Sequence, residues 1–561
     1  MLRMRLRSLA LYFAVGFLLQ GSISAQAQEP RPLPERPSSR ELEAPEYLPP
    51  ESPPMFELPP VETPGAPARG QSPEIAVKAF EFEGNKVIST AVLQELAAPL
   101  AGRDVSLAEL EDLRQKISRY YVDHGYINSG ALLTPGFYRD GVVHVRIVEG
   151  RIDELRANGL DGLRESYLRS RLMRADEPFN VNALQERFQL LLTDPLFAKV
   201  NARLQPGVQP GSAILDVDVT RARPWDLSLF FNNYQPPSSG AEAVGFSGVI
   251  RNATGFGDTF DATCQQGTDR GGRCALGWNV PVAYRTDVHV RTDHGESSVL
   301  EEPVNELDVG SILDSYELGV TRTLVDTIRQ RFSMGLLFTH RENRTTLLGQ
   351  PFSFVAGETT GTSRVNAWRF EQDFVQRWES QTAAFRSTFT YGDTNTDPSV
   401  SPGVPVPSRY YYVWLGQAQF TRRVMDNGAN FFLRGTLQWT NLSLVPLEQI
   451  AVGGVNSVRG YRENQLVRDQ GYYFNVEFRY PLFDHPGDRH RLILIPFFDF
   501  GEAWNTGQDR ERLSSLGLGL SYQYQRLFVD FFYGKALIKP TVETSGNLQD
   551  EGIHFQVRYE F

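Results

Sequence analysis

Thiols, imidazoles and charges set among apolar residues are the groups in this chain that could do chemistry. The eight histidines, His124, His289, His294, His340, His485 and His490 among them, are scattered with no HExxH or other metal-ligand spacing. His485 and His490 fall at a turn, where solvated side chains are the simplest reading. No GxxxxGK[ST] loop is present to cradle a nucleotide's phosphates. The chain therefore reads as a non-enzyme with no cofactor or metal. Cys264 and Cys274 flank residues 265–273; in an oxidising compartment they close a disulfide, and otherwise they stay as two free thiols. Two motifs remain. Val458-Arg459-Gly460-Tyr461 follows Gly453-Gly454 and precedes the charged residues Arg462, Glu463, Arg468 and Asp469. Pro496-Phe497-Phe498-Asp499-Phe500-Gly501 places one carboxylate in an apolar run.

The elements that position these motifs must come from 561 residues that are 41% hydrophobic and 22% charged, with a net charge of −11. That balance argues against a nucleic-acid binder, which needs a basic face to displace phosphate counterions. After the first 27 residues, no apolar run approaches the roughly 18–20 residues of a helical membrane span. Aromatic residues, at 12%, are abundant for a generic soluble protein.

Residues 1–27 read as a signal peptide: Arg3, Arg5 and Arg7 precede the apolar Leu9 to Leu19, and Ala25-Gln26-Ala27 offers a small-x-small cleavage site. An uncleaved membrane anchor is the alternative. Residues 28–74 form a Pro-rich linker, since 14 prolines between Gln28 and Pro73 prevent any long helix. Two small α+β domains follow, 75–150 and 151–223. In the first, a strand is expected over 75–84, helices over 89–100 and 106–124, a strand beginning at Gly125-Tyr126-Ile127, and a closing strand over 141–148. Ser106 and Glu109 have the spacing of a capping box. The second repeats the order with a strand at 152–158, helices at 164–174 and 180–192, and strands at 200–205 and 213–220.

From Trp225 onward, helical periodicity gives way to alternation. In Ile553 to Phe561, Ile553, Phe555, Val557, Tyr559 and Phe561 share one face, and His554, Gln556, Arg558 and Glu560 the other. Sixteen strands are expected between 225–234 and 551–561, among them 428–442, 468–480 and 490–503. Most have the roughly 9–11 residues that a tilted membrane strand requires, and the number is even. Tight connections at 325–328, 377, 425–427 and 525 alternate with long ones at 297–309, 343–361, 394–407 and 443–467. Aromatics gather near strand ends, as at Tyr410-Tyr411-Tyr412 and Trp439. These patterns predict an all-β, 16-stranded transmembrane barrel over 224–561 in the outer membrane of a Gram-negative cell, with outer-membrane lipid around it and the two domains in the periplasm. The strand before Asp499 is apolar on both faces, so alternation leaves its direction open.

The arginine motif in the longest loop, 443–467, followed by the aspartate motif on the thirteenth strand, resembles the polypeptide-transporting barrels that include the outer-membrane assembly factor. Two soluble modules ahead of sixteen strands resemble most closely the TpsB transporters of two-partner secretion, whose modules are called POTRA domains. The resemblance spans residues 75 to 561. It implies that the loop folds into the lumen and that Arg459 pairs with Asp499 on the wall, within a loop motif of Val458, Arg459, Gly460 and Tyr461 and a wall motif of Phe497, Asp499 and Gly501. A buried charge is costly unless paired, and a planar guanidinium grips a carboxylate through two hydrogen bonds. The other reading of Arg459 is a solvated loop charge. The resemblance also implies passage of an unfolded partner exoprotein without nucleotide, captured as an extended strand by the POTRA sheets. Family members often carry an N-terminal plug helix, which residues 28–73 cannot build. Rival readings are an assembly factor for other outer-membrane proteins and a passive pore or receptor.

Overall fold

The computed structural model describes residues 42, 47, 56–57, 74–173, 177–267, 271–301, 304–539 and 546–561. The expected signal peptide, and most of the Pro-rich segment on which a plug would depend, lie outside the described residues.

In the first module, helices Thr90–Ala97 and Leu107–Asp123 pack on strands Ala79–Glu83, Gly130–Leu132, Tyr138–Arg139 and Val142–Val148. The capping box forms. The Ser106 hydroxyl accepts from the Glu109 amide at 3.3 Å, and the Glu109 carboxylate accepts from the Ser106 amide at 2.8 Å. The helix's apolar stripe, Leu110, Leu113, Ile117 and Tyr121, fills the core with Val143, Val145 and Ile147.

Two sequence expectations are corrected here. The strand over 75–84 is two strands: Glu74–Val77 pairs antiparallel with Arg103–Ser106, and Ala79–Glu83 pairs parallel with Val142–Val148. The break at Lys78 coincides with a slip in the alternation, from Ile75 and Val77 to Phe80 and Phe82. Gly125-Tyr126-Ile127 is a turn, with Gly125 at φ +88°, and the strand starts at Gly130.

The second module repeats the plan with strands Arg151–Asn158, Phe197–Pro206 and Ser212–Arg221 and helices Glu165–Leu172 and Val181–Leu192. Asn180 joins the modules. Its side-chain oxygen accepts from the Asn182 amide at 3.0 Å, capping the second helix, while its Nδ2 donates to the His124 carbonyl of the first module at 2.9 Å. Phe56–Glu57 lies parallel against Ala202 and Arg203 at the outer edge of the second sheet.

Sixteen antiparallel strands, Trp225–Asn232 to Ile553–Glu560, then close a barrel, with Ser228 to Asn232 paired against Glu560 to Gln556. A two-residue strand, Gln350–Pro351, adds to the end of the seventh. On the first strand Leu227, Leu229 and Phe231 point outward and are exposed, whereas Ser228, Phe230 and Asn232 are buried. This is the inverse of a soluble core, and it is the pattern of a wall facing lipid. The second module seats on the first short turn. The Arg164 amide donates to the Gly255 carbonyl at 2.9 Å, the Arg164 guanidinium stacks 3.6 Å from the Phe256 ring centre, and Gly257 lies under the Tyr167 ring with no room for a Cβ. The modules and the short turns therefore share one side of the barrel.

Candidate functional site

The connection between the eleventh strand, Asn430–Trp439, and the twelfth, Gln470–His485, folds back into the barrel and carries a short hairpin, Ile450–Val452 with Leu466–Arg468. Its apolar residues Ile450, Val452, Val458, Tyr461 and Leu466 pack with Tyr473, Ala503 and Leu513 of the wall. Val458 is fully buried, and Tyr461 sends its hydroxyl to the Ile538 carbonyl at 2.7 Å. This packing explains why the thirteenth strand, His490–Trp504, is apolar on both faces. Its outward Phe498 and Phe500 alternate with inward Ile495, Phe497, Asp499 and Gly501, and the loop covers the last three of these.

Asp499 points inward and is completely buried. Arg459, 2% exposed, reaches it through Nε to Oδ2 at 2.8 Å and Nη2 to Oδ1 at 2.8 Å, while the Arg459 amide also donates to Oδ2 at 3.0 Å. The remaining guanidinium nitrogen, Nη1, lies 2.8 Å from Glu477, whose other oxygen accepts from Arg479 at 2.9 Å. Asn475 donates to Asp499 at 2.7 Å, and the guanidinium lies 3.6 Å from the centre of the Phe497 ring. All three guanidinium nitrogens are thus matched with carboxylates, the condition under which a buried charge is tolerated.

Glycine makes the approach possible. At Gly460, φ +87°, a Cβ would lie 2.7 Å from the Gly534 carbonyl oxygen. At Gly501 a Cβ would lie 2.5 Å from the Val452 side chain. Sequence reasoning did not single out Glu477, Asn475 or Gly534. The first two do carry a signal, because Asn475, Glu477 and Arg479 alternate with Phe474, Val476 and Phe478.

Cys264 and Cys274 face each other on the third and fourth strands and form a disulfide. It staples the long-loop end of that hairpin, apart from the arginine motif. Among the described residues no group of three or more His, Cys, Asp and Glu side chains could hold a metal ion.

Outside the wall, Arg462 ties the loop to its neighbours. It pairs with Asp550 in the last long loop, through Nη2 to Oδ2 at 2.8 Å, and with Glu301 at 2.7 Å. Burial alone would raise the Asp550 pKa; the hydrogen bonds and charge of Arg462 outweigh it and hold the carboxyl below its ordinary range. A carboxyl depressed in this way stabilises the tie above the free value of about 4 and loses it as pH falls through the lower, bound value. Hydrogen exchange at 460–466 and 546–552 should therefore stay slow from neutral pH through that range and rise only below it. Asp550→Asn should exchange faster at neutral pH and lose the dependence; an unchanged pH profile in this variant would contradict the tie.

A closed sixteen-stranded barrel, flanked on its short-turn side by two sheet-and-helix modules and filled by a loop gripped at the wall, defines a polypeptide-transporting barrel of the outer membrane. The chain belongs to the haemolysin secretion/activation family ShlB/FhaC/HecB, whose sequence model matches residues 211–522; residues 75–150 match the ShlB-type POTRA domain. It is similar to the outer membrane transporter CdiB of Dickeya dadantii (strain 3937), 21% identical over 472 residues that cover 80% of this chain and 79% of that one. It is also similar to the heme/hemopexin transporter protein HuxB of Haemophilus influenzae (strain 86-028NP), 21% identical over 78% of this chain and 79% of that one. The solved structure of CdiB from Escherichia coli shares its fold, with a TM-score of 0.69 and 19% identity over 91% of this chain and 94% of that one. The protein is an outer-membrane transporter of two-partner secretion, with its POTRA domains in the periplasm.

Proposed function

We propose that the POTRA domains capture an unfolded, secreted partner protein as an extended chain and pass it to a lumen whose Arg459–Asp499 tie sets the transport-competent state. One observation carries the capture step. The outer edge strand of the second module, Phe197–Pro206, already takes a segment from a distant part of the chain, Phe56–Glu57, across two of its ten residues. A sheet edge that accepts one added strand through main-chain hydrogen bonds can accept an extended substrate in the same way. Folding of the exported chain outside supplies the free energy, so no nucleotide is needed.

Deletion of residues 75–222 tests the capture step. Secretion of the partner should be lost while purified barrels keep their conductance in planar bilayers. Unchanged secretion would remove the role given to the modules.

A further inference from the structure

The loop that carries Arg459 is tied to the wall a second time, with the charges reversed. At its stem, Glu448 is 2% exposed. Arg369, on the eighth strand (Thr362–Arg377), donates from Nη2 to both Glu448 carboxylate oxygens, at 2.7 and 3.0 Å. Arg341, on the seventh strand (Gln330–Leu347), donates to the Leu447 carbonyl at 2.8 Å and lies 3.7 Å from Glu448. Gln438 holds the Glu448 carbonyl at 2.9 Å. Around this carboxylate Leu444 and Val445 pack on Val365, Ala367, Tyr411 and Val413, an apolar cluster separate from the one beneath Arg459. The loop is therefore a strap with two ends, one on strands seven to ten and one on strands twelve to fifteen.

The two ends are built differently. The tip has three guanidinium nitrogens on two carboxylates, an added amide bond to Asp499, and backbone seated on backbone at Gly460 and Gly534. The stem has one carboxylate, on which Arg369 places a single guanidinium nitrogen, while Arg341 and Gln438 hold the neighbouring carbonyls of Leu447 and Glu448. A polypeptide crossing the lumen needs the strap to move, and the end that grips one buried carboxylate rather than two is the one that yields.

We propose that Glu448, Arg369 and Arg341 form a releasable latch: they hold the loop stem across the resting lumen and let go during transport while the Arg459 end stays docked. All three are positioning residues. The inference rests on the barrel being the conduit.

The test replaces Glu448 by Gln in the full chain. Resting conductance in planar bilayers should rise about tenfold, the factor set by a tie worth roughly 1.4 kcal/mol, with secretion retained. Lost secretion at unchanged conductance would overturn the latch, because that is what a static support at this position gives. A second variant, Glu448→Cys with Arg369→Cys, is assembled in the membrane and then treated with a short bis-maleimide; the disulfide-bonded Cys264 and Cys274 do not react. Before treatment it should conduct and secrete. Cross-linked, it should do neither, and secretion through the cross-linked strap would overturn the proposal. If the barrel were not the conduit, cells lacking the whole chain would still secrete the partner, a result independent of either latch variant.

Discussion

Arg459→Ala should abolish secretion of the partner while the barrel still inserts and keeps the altered electrophoretic migration of a folded, unheated barrel. The substitution leaves Asp499, completely buried, and Glu477, 5% exposed, without the cation that serves both. Breaking a buried pair by removing one partner costs about 3–5 kcal/mol. At about 1.4 kcal/mol per tenfold, the ratio of docked to undocked loop falls by roughly two to four powers of ten. The strands do not depend on that pair, because their ladders run from the first to the sixteenth without it. Arg459→Lys should fail as well. An ammonium is a point charge on a flexible stem; it cannot bond Asp499 through two parallel N–H groups and reach Glu477 at the same time. Secretion at the unsubstituted level by the lysine variant would show that charge alone is sufficient, and by the alanine variant that the docked loop is dispensable for transport.

The wall was more legible than what it encloses, and the reason is physical. A strand that faces lipid on one side and polar lumen on the other writes its own period-two pattern, so the sixteen expected strands coincide with the observed ones to within a few residues, as at 310–323 against Gly310–Asp326. Where a distant segment covers the inner face, the pattern disappears. Phe497 sits under the Arg459 guanidinium and Gly501 under Val452 and Val458, and no residue near them in sequence announces that cover. The motif at Arg459 was found through resemblance, since Arg-Gly-Tyr has no local signature of burial. Glu448 had neither motif nor pattern; a glutamate in a loop reads as solvated, and only the arginines of strands seven and eight make it a core residue. In the first module the phase slip at Lys78 was visible in the sequence, yet it required knowing that Gly141 accepts from the Lys78 amide, at 2.7 Å, to see two sheets there.

Gly534→Ala tests the docked loop without touching any charge. A Cβ at Gly534 would lie 2.7 Å from the Gly460 nitrogen and 2.9 Å from the Arg459 carbonyl carbon. Both are backbone atoms, so no rotamer change relieves the overlap; the loop must lift from the fifteenth strand (Leu527–Ala536) and carry the Arg459 side chain away from Asp499. Ordinarily alanine is better placed in a strand than glycine, by roughly 0.5–1 kcal/mol, so the strand itself should not suffer. The expected result is a folded barrel with secretion reduced as far as in Arg459→Ala, and with residues 455–463 newly open to protease. Gly435→Ala supplies the control on the eleventh strand. There the nearest atom to a new Cβ is the Tyr473 carbonyl oxygen at 3.7 Å, an ordinary contact, and secretion should stay at the unsubstituted level. Because the two substitutions change the chain in the same way and differ only in what faces the added carbon, equal secretion by both would mean that the backbone contact between Gly460 and Gly534 does not hold the loop in the transporting state. A loss confined to Gly534→Ala assigns the effect to the docking of the loop, since every carboxylate and guanidinium of the lumen is unchanged in both.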